Sequence, residues 1–207
     1  MKMPETELDY DSIDEEYFYD IANIILNGCY LQANKTKFRI MEIEFYLKCK
    51  SHNDPYTHCD PDQLLMHTFY FHKFKTGTYK GGTFKGMDLT FGSKKDKAYF
   101  GILIRCIQNI KTGDVIEGPC NVVNCILNEY KCNSLMDFTK GQNMDIFEND
   151  KNFILVPTDD LENLQIAAGP RIGLGPQYPE FKFRRYRFVV NKNKIKKNKT
   201  SLVYLEV

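Results

Sequence analysis

The chain has 207 residues, with 28 Lys and Arg residues against 27 Asp and Glu residues, and 43% of its residues are hydrophobic. This mixture is typical of globular proteins and excludes a wholly disordered or fibrous chain. No run approaches the roughly 18 apolar residues of a membrane span, and the acidic start does not have the pattern of a signal peptide. The length predicts one domain at residues 11–207, preceded by an acidic arm at residues 1–10.

The formal net charge of +1 hides an uneven distribution. Residues 1–20 carry eight acidic side chains and one lysine, whereas residues 181–200 carry nine basic side chains and no acidic one. A basic end can bind a polyanion although the whole protein is nearly neutral. The lysine run at residues 192–199 is also compatible with a solvated loop or a nuclear-targeting patch.

The seven cysteines and four histidines do not form a recognisable metal pattern. The number of cysteines is odd and no C-x-x-C pair occurs, so the sequence predicts reduced, structural thiols in an intracellular protein. All four histidines lie within residues 52–72, but their spacing matches no common zinc site. No metal site is therefore predicted.

The first elements are a helix and a long strand. Ser12 and Glu15 have the spacing of a capping box, and apolar residues at helical spacing then continue to Asn27-Gly28. Strands are predicted at residues 29–31 and 38–47, and the second alternates so that Glu44 shares a face with Glu42 and Tyr46. From alternation alone, a polar face pointing into water is favoured for the carboxylates. The alternative is a carboxylate lodged beside aromatic rings, with a raised pKa, that acts as a general base.

Short strands dominate the remaining sequence. A glycine-rich segment at residues 75–86 predicts a protruding hairpin, and residues 121–130 have a helical pattern. Without regular β–α alternation, the predicted fold class is α+β: a single domain with a curved antiparallel sheet and a few flanking helices. The further predicted strands are residues 69–74, 87–91, 99–107, 153–157, 186–190 and 202–207, of which the last two are expected to pair around the lysine-rich loop.

Two features outside the long strand suggest binding of a polyanion. Arg105 lies in an apolar strand and needs either a carboxylate partner or a bound phosphate, because a buried unpaired charge is costly. In the glycine-rich segment, Tyr79 and Phe84 are interleaved with Lys80 and Lys85. Such a mixture suits nucleic acid, where lysine contacts phosphate and an aromatic ring stacks or wedges between bases. A flexible hairpin without a ligand explains the glycines equally well.

The order of these segments resembles that of the alkyladenine (3-methyladenine) DNA glycosylase family, over about residues 20–190. The most specific parts are the Glu-x-Glu-x-Tyr strand at residues 42–46 and the Arg-Ile-Gly-Leu-Gly corner at residues 171–175. The other matching segments, in the same order, are the helix and strand at residues 21–31, His58, Gly86-Met87-Asp88, the strand ending at Arg105, Glu117-Gly118-Pro119, and residues 184–189.

The resemblance implies a monofunctional DNA glycosylase of base excision repair. Such an enzyme flips an alkylated or deaminated purine out of double-stranded DNA and hydrolyses its N-glycosidic bond, without a metal or organic cofactor. By carry-over, Glu44 activates the water and Tyr46 and His58 stack on the base. Arg105 and Arg171 hold the nucleotide or its phosphate.

Several alternatives stay open beside the resemblance. The wedge that replaces the extruded base has three candidates, Tyr79, Phe84 and Lys85, and His52 competes with His58 for the stacking position. The protein is expected to act as a nuclear monomer, with its acidic arm facing away from DNA. A catalytically silent, damage-sensing protein on the same fold is the main alternative, and an enzyme acting on a small molecule such as a nucleoside is a distant one.

Overall fold

The computed structural model describes residues 8–148 and 152–205, and its strands join into one antiparallel sheet. Residues 1–7 of the predicted acidic arm and residues 206–207 of the last predicted strand lie outside the described residues. The strands are β1 (Cys29–Ala33), β2 (Thr36–Lys48), β3 (Met66–Phe71), β4 (Met87–Phe91), β5 (Tyr99–Asn109), β6 (Val115–Glu117), β7 (Phe153–Pro157), β8 (Ile166–Gly169), β9 (Arg187–Val190) and β10 (Val203–Tyr204).

The strand β2 lies at the centre of the sheet. The main path runs β10-β8-β9-β2-β5-β4-β3, while β1 pairs with β2 and β7, and β6 pairs with β5. Residues 42–44 of β2 therefore have a neighbouring strand on both sides, β5 on one and β9 on the other. These pairings confirm the predicted α+β class with an antiparallel sheet in one domain, and the sheet is open.

Among the described residues there are four α-helices: α1 (Glu15–Gly28), α2 (Pro119–Glu129), α3 (Leu135–Thr139) and α4 (Pro179–Lys182). The predicted cap of α1 at Ser12 is wrong. Asp14 is the N-cap, because its carboxylate accepts a hydrogen bond from the Tyr17 amide at 2.9 Å, and the Ser12 hydroxyl instead donates to Asp9. The helix α1 buries an apolar stripe that includes Phe18 and Ile25. No helix among the described residues is long and apolar enough to cross a bilayer.

The last strands do not pair as predicted. Both β9 and β10 pair with β8, with Ala168 opposite Phe188 on one side and Val203 on the other. The strand β8 is only four residues of Ile-Ala-Ala-Gly, which is too short for a period-2 signal. The predicted direct pairing of the two closing strands is therefore wrong, because β8, which the sequence pattern did not predict, lies between them.

The acidic arm and the glycine-rich segment both differ from what the sequence indicated. The end of the acidic arm is docked, since Leu8 and Tyr10 are buried and the Tyr10 hydroxyl donates to the Phe91 carbonyl at 2.6 Å. The glycine-rich segment is a loop with an isolated bridge between Lys73 and Tyr79 and one 3-10 turn, rather than a regular hairpin. Residues 74–78 and 81–84 of this loop are exposed.

The cysteines are free thiols, as predicted. Cys29 and Cys106 are fully buried within the apolar core. Burial raises the pKa of the Cys29 thiol to about 12, so that this cysteine stays a neutral core residue at physiological pH.

Candidate active site

A row of residues in register across five strands positions the candidate site. Each residue of the row lies directly opposite the next one on the neighbouring strand. In the order of the strands, the row is Arg187 (β9), Glu44 (β2), Leu103 (β5), Asp88 (β4) and Tyr70 (β3). Directly opposed residues of antiparallel strands point to the same face of the sheet. One face of the sheet therefore carries Arg187, Glu44, Asp88 and Tyr70, with the apolar Leu103 between Glu44 and Asp88.

Glu44 is held by three hydrogen-bond donors and has no exposed surface. Its Oε1 accepts from the Ile172 amide at 2.7 Å, and its Oε2 accepts from the Tyr46 hydroxyl at 2.9 Å. The guanidinium of Arg105 lies 3.3 Å from each carboxylate oxygen, through Nε to Oε1 and through Nη1 to Oε2. The carboxylate is thus fixed from three directions by strand and corner residues.

A chain of alternating charges extends from Glu44. Arg105 also donates from Nε to Glu42 at 3.0 Å, and Arg187 donates from Nε to the same Glu42 oxygen at 2.7 Å. The favoured interpretation of a solvated polar face is wrong, because Glu42 and Glu44 are 2% and 0% exposed. The carboxylate partner that the sequence allowed for Arg105 is present, and both glutamates provide it.

Burial raises the pKa of the Glu44 carboxyl above its usual range. The positive charge of Arg105 and the Ile172 amide oppose this shift without cancelling it, and the negative charge of Glu42 adds to it. A carboxylate with a raised pKa is a stronger base than one in water, which is the property that a general base needs.

All three partners of Glu44 line a cavity of about 260 Å³. This volume lies just below the usual range of ligand pockets, about 300 to 1,000 Å³, so the cavity suits a small group such as one flat ring system. Its walls come from the sheet face, the loop with His58, the glycine-rich loop, the start of α2 at Pro119, and the corner at residues 172–174.

Five of the predicted site residues meet at this cavity. The residues that line it, up to 59 positions apart in the chain, are Tyr46, His58, Phe84, Lys85 and Arg105. Phe84 lies at the mouth and is 72% exposed. The Lys85 ammonium donates to Asn124 at 2.7 Å. The structure thus brings together residues of which the sequence showed only the order along the chain.

His52 does not lie at the cavity. Its ring is buried, and its two nitrogens lie 2.7 Å from the Leu47 carbonyl and 2.8 Å from the Tyr186 hydroxyl. Of the two competing histidines, only His58 lines the cavity.

The predicted phosphate contact of Arg171 is wrong, because this arginine is buried and paired with Asp54. Its guanidinium has no exposed surface, forms a buried ion pair with Asp54, and donates to the Phe45 carbonyl at 3.0 Å. The group also lies over the Tyr46 ring, 4.5 Å from its centroid. Arg171 therefore supports the Tyr46 ring, and its guanidinium has no exposed surface through which it could bind a phosphate.

Tyr79 is a correction to the predicted wedge residues. Its hydroxyl donates to Thr139 at 2.9 Å, its ring packs against the core, and the Lys73 ammonium lies 5.6 Å from the ring centroid. A ring anchored in this way is not available to enter a duplex. Of the two aromatic candidates, Phe84 alone is largely exposed at the cavity mouth.

Sequence reasoning missed a polar group on the opposite wall. His72 Nε2 lies 2.7 Å from Asp88 Oδ1, and the Gln63 amide donates to Asp88 Oδ2 at 3.1 Å. All three residues line the cavity. One sequence feature could have indicated this polar group: Gly101 lies inside a core strand, and a glycine in such a place often marks a close approach of other groups.

We expect Gly101→Ala to destabilise the protein by about 1–3 kcal/mol, because it overpacks this polar group. A Cβ at Gly101 would lie 2.4 Å from Asp88 Oδ2 and 2.7 Å from Gln63 Nε2. Urea unfolding measures the change. Gly28→Ala is the matched control, since nothing lies within 4 Å of its Cβ position, and it should leave stability unchanged or slightly higher. Equal unfolding midpoints for Gly101→Ala and the wild type would contradict the packing described.

His58 is neutral at physiological pH. Its ring lies edge-on to His72 with centroids 4.4 Å apart, and its Nε2 lies 3.2 Å from the Lys80 ammonium. Loss of hydration and the neighbouring His72 and Lys80 lower the pKa of His58 to about 4, against the opposing effect of Asp88. A neutral imidazole has a flat, uncharged face on which a nucleobase can stack.

We expect the imidazole of His58 to titrate near pH 4 in NMR spectra, well below the ordinary 6.5. Lys80→Met should move this midpoint upward, because the variant removes a cation from Nε2, whereas Lys94→Met should not. As the pH falls, His58 takes up a proton near pH 6.5 in the unfolded chain but only near pH 4 in the folded protein. Protonation of His58 therefore favours the unfolded chain, and the free energy of unfolding falls as the pH drops from about 6.5 to about 4. A midpoint at or above the ordinary value would contradict this account.

No established protein-family profile matches the chain. It is similar to a protein of Acanthamoeba polyphaga mimivirus that bears the name "Uncharacterized protein L759". The two are 53% identical over 208 aligned positions, which cover 95% of this chain and 96% of the viral protein. At this identity over nearly the full length of both proteins, the chain belongs to the same family as the mimivirus protein.

Proposed function

We propose that this protein is a monofunctional DNA glycosylase, which extrudes an alkylated or deaminated purine nucleotide from double-stranded DNA and hydrolyses its N-glycosidic bond. The observation that carries the proposal is the position of Glu44. Glu44 does not itself line the cavity, but each of its three hydrogen-bond partners does, and burial raises the pKa of its carboxyl.

In the proposed reaction, Glu44 removes a proton from water as the water attacks the sugar carbon. The bond between that carbon and the purine breaks, and its electron pair leaves with the base. Positive charge develops on the sugar in this step, and a nearby carboxylate stabilises it. Since the Tyr46 hydroxyl now donates to Glu44 Oε2, the nucleotide must displace this hydrogen bond to give water access to the carboxylate. No metal or organic cofactor takes part in this scheme.

The other cavity residues suit a flipped nucleotide. A base outside the duplex needs flat walls, and Tyr46 and the neutral His58 provide them. Arg105 lines the cavity beside Glu44, where its guanidinium can bind the phosphate of the nucleotide. Phe84, the exposed aromatic ring at the mouth, is the residue that we assign to the gap in the duplex.

A second candidate function is a damage-binding protein that performs no hydrolysis. One observation favours it: the carboxylate of Glu44 has no exposed surface and forms a buried ion pair with Arg105, as a purely structural glutamate would. The two functions share the cavity, the partner and the flipped base, and they differ in the fate of the glycosidic bond.

The test is incubation of the purified protein with duplexes that each contain one hypoxanthine or one alkylated purine. A glycosylase leaves alkali-labile abasic sites at the position of the lesion. Tight binding to the whole panel without strand cleavage after alkali treatment would reject hydrolysis and leave the damage-binding function. Nuclear location, which the lysine run suggested, stays a prediction.

A further inference from the structure

The lysine-rich loop that follows β9 is anchored to the fold by a buried side chain and by hydrogen bonds to its backbone. Residues 191–199 contain five lysines and no acidic residue. Ile195 in the middle of the loop is fully buried in the core, and Asn191 and Asn198 adopt left-handed backbone conformations with φ of 52° and 50°. Asparagine is among the residues that accept this conformation most readily. The loop is therefore anchored at its centre and turns sharply at both ends.

Side chains from the sheet hold the backbone of the loop. Arg187 donates from Nη1 to the Asn198 carbonyl at 3.0 Å and from Nη2 to the Lys197 carbonyl at 3.2 Å. The Glu117 carboxylate accepts from the backbone amides of Lys196 and Lys197 at 3.1 and 2.7 Å. The inward-facing backbone groups are thus bound to the sheet, and the lysine side chains at positions 194, 196, 197 and 199 are exposed.

The same two anchors place the loop beside the cavity. Arg187 is the cross-strand partner of Glu44, and neighbouring strands lie about 4.8 Å apart. Glu117 precedes the cavity-lining Pro119 by two positions, and the Gly118 amide donates to the Arg105 carbonyl at 2.7 Å. The backbone anchors of the loop therefore adjoin segments that line the cavity, on the face of the sheet that carries Glu44.

We propose that this loop is a preformed binding site for the phosphates of duplex DNA that flank the nucleotide in the cavity. Lysine ammonium groups bind phosphates as point charges and release counterions from the duplex. Holding them on an anchored backbone lowers the ordering cost of binding. The proposal rests on the proposed function in its choice of partner, and it does not depend on hydrolysis.

The test compares two quadruple variants with the wild type on an undamaged duplex over a range of salt concentrations. The loop variant changes Lys194, Lys196, Lys197 and Lys199 to Gln. The control variant changes Lys94, Lys97, Lys111 and Lys131 to Gln, four lysines that are also exposed and line neither the cavity nor the loop. Both variants lose four positive charges, so that a general effect of net charge is matched.

We expect the loop variant to bind at least about tenfold more weakly at low salt. The slope of log Kd against log salt concentration should become shallower by about 0.9 for each phosphate contact that is lost. The control variant should keep the slope of the wild type. Equal slopes for the two variants, or DNA binding by the loop variant at the strength of the wild type, would overturn the proposal.

Failure of this proposal is distinguishable from failure of the proposed function. If the wild type excises a lesion and the loop variant binds and excises equally well, the loop assignment falls and the glycosylase stands. If the wild type excises nothing but the loop variant loses its salt-dependent binding, the loop assignment stands and hydrolysis falls.

Discussion

Glu44→Gln should reduce excision of a damaged purine by at least about a hundredfold, since a general base typically contributes 10²–10⁴-fold to the rate. Glutamine keeps the size of the side chain and a carbonyl that can accept from the Ile172 amide, but it cannot take a proton from water. Arg105 retains its second partner, Glu42, so the guanidinium stays paired. The variant should therefore fold and bind the lesion duplex while leaving the glycosidic bond intact.

Glu16→Gln is the matched control for this substitution. Glu16 is an exposed acid in the first turn of α1 and does not line the cavity, so its neutralisation should leave excision unchanged. Single-turnover rates at saturating protein concentration separate the chemical step from binding. Excision by Glu44→Gln at the rate of the wild type would show that Glu44 is not the base.

Asp54→Ala should lower the free energy of unfolding by about 3–5 kcal/mol, because it leaves the buried Arg171 without its counter-charge. Neither side chain of this ion pair has exposed surface. For a domain of this length the loss corresponds to a melting temperature lower by roughly 6–20 °C. The Arg171 guanidinium also supports the Tyr46 ring, so the variant should bind a lesion duplex more weakly.

The control for Asp54→Ala is the same substitution at Asp62, which pairs with Lys73 at a partly exposed position. Such pairs contribute about 0–1 kcal/mol, so Asp62→Ala should melt close to the wild type. If the two variants lost the same stability, the Asp54–Arg171 pair would not have the structural role assigned here.

The local elements were predictable from the sequence where a periodic pattern was long enough. Alternation over residues 38–47 gave the central strand β2 and the common face of Glu44 and Tyr46. The same pattern could not show that β9 pairs with β2 beside these residues, because strand pairing at this separation leaves no local signal. The expected solvated face was wrong because the Ile172 amide and the side chains of Arg105 and Arg187 contact the two carboxylates there.

The partners of the buried charged residues could not be predicted from the sequence pattern either. The resemblance to the glycosylase family implied a phosphate contact at Arg171, and the structure instead pairs this arginine with Asp54, 117 positions away in the chain. The polar group of His72, Asp88 and Gln63 was missed because its members lie on three separate segments. The glycines that leave room for them, Gly86 and Gly101, were visible only as interruptions in the sequence.

The charge network joins the candidate base to the candidate DNA-binding loop. From Glu44 it passes through Arg105 and Glu42 to Arg187, and Arg187 holds the loop backbone at residues 197 and 198. Phosphate binding and water activation are therefore assigned to groups that are fixed with respect to one another, as a reaction that depends on accurate positioning requires.

The most direct measurement is release of the free base from a duplex that contains a single hypoxanthine or alkylated purine. The wild type in excess over DNA should release one free purine for each abasic site formed, and Glu44→Gln should bind the same duplex and release none within the same time. A wild type that binds the lesion duplexes tightly, yet leaves every base attached, would contradict the assignment of Glu44 as the base of a DNA glycosylase.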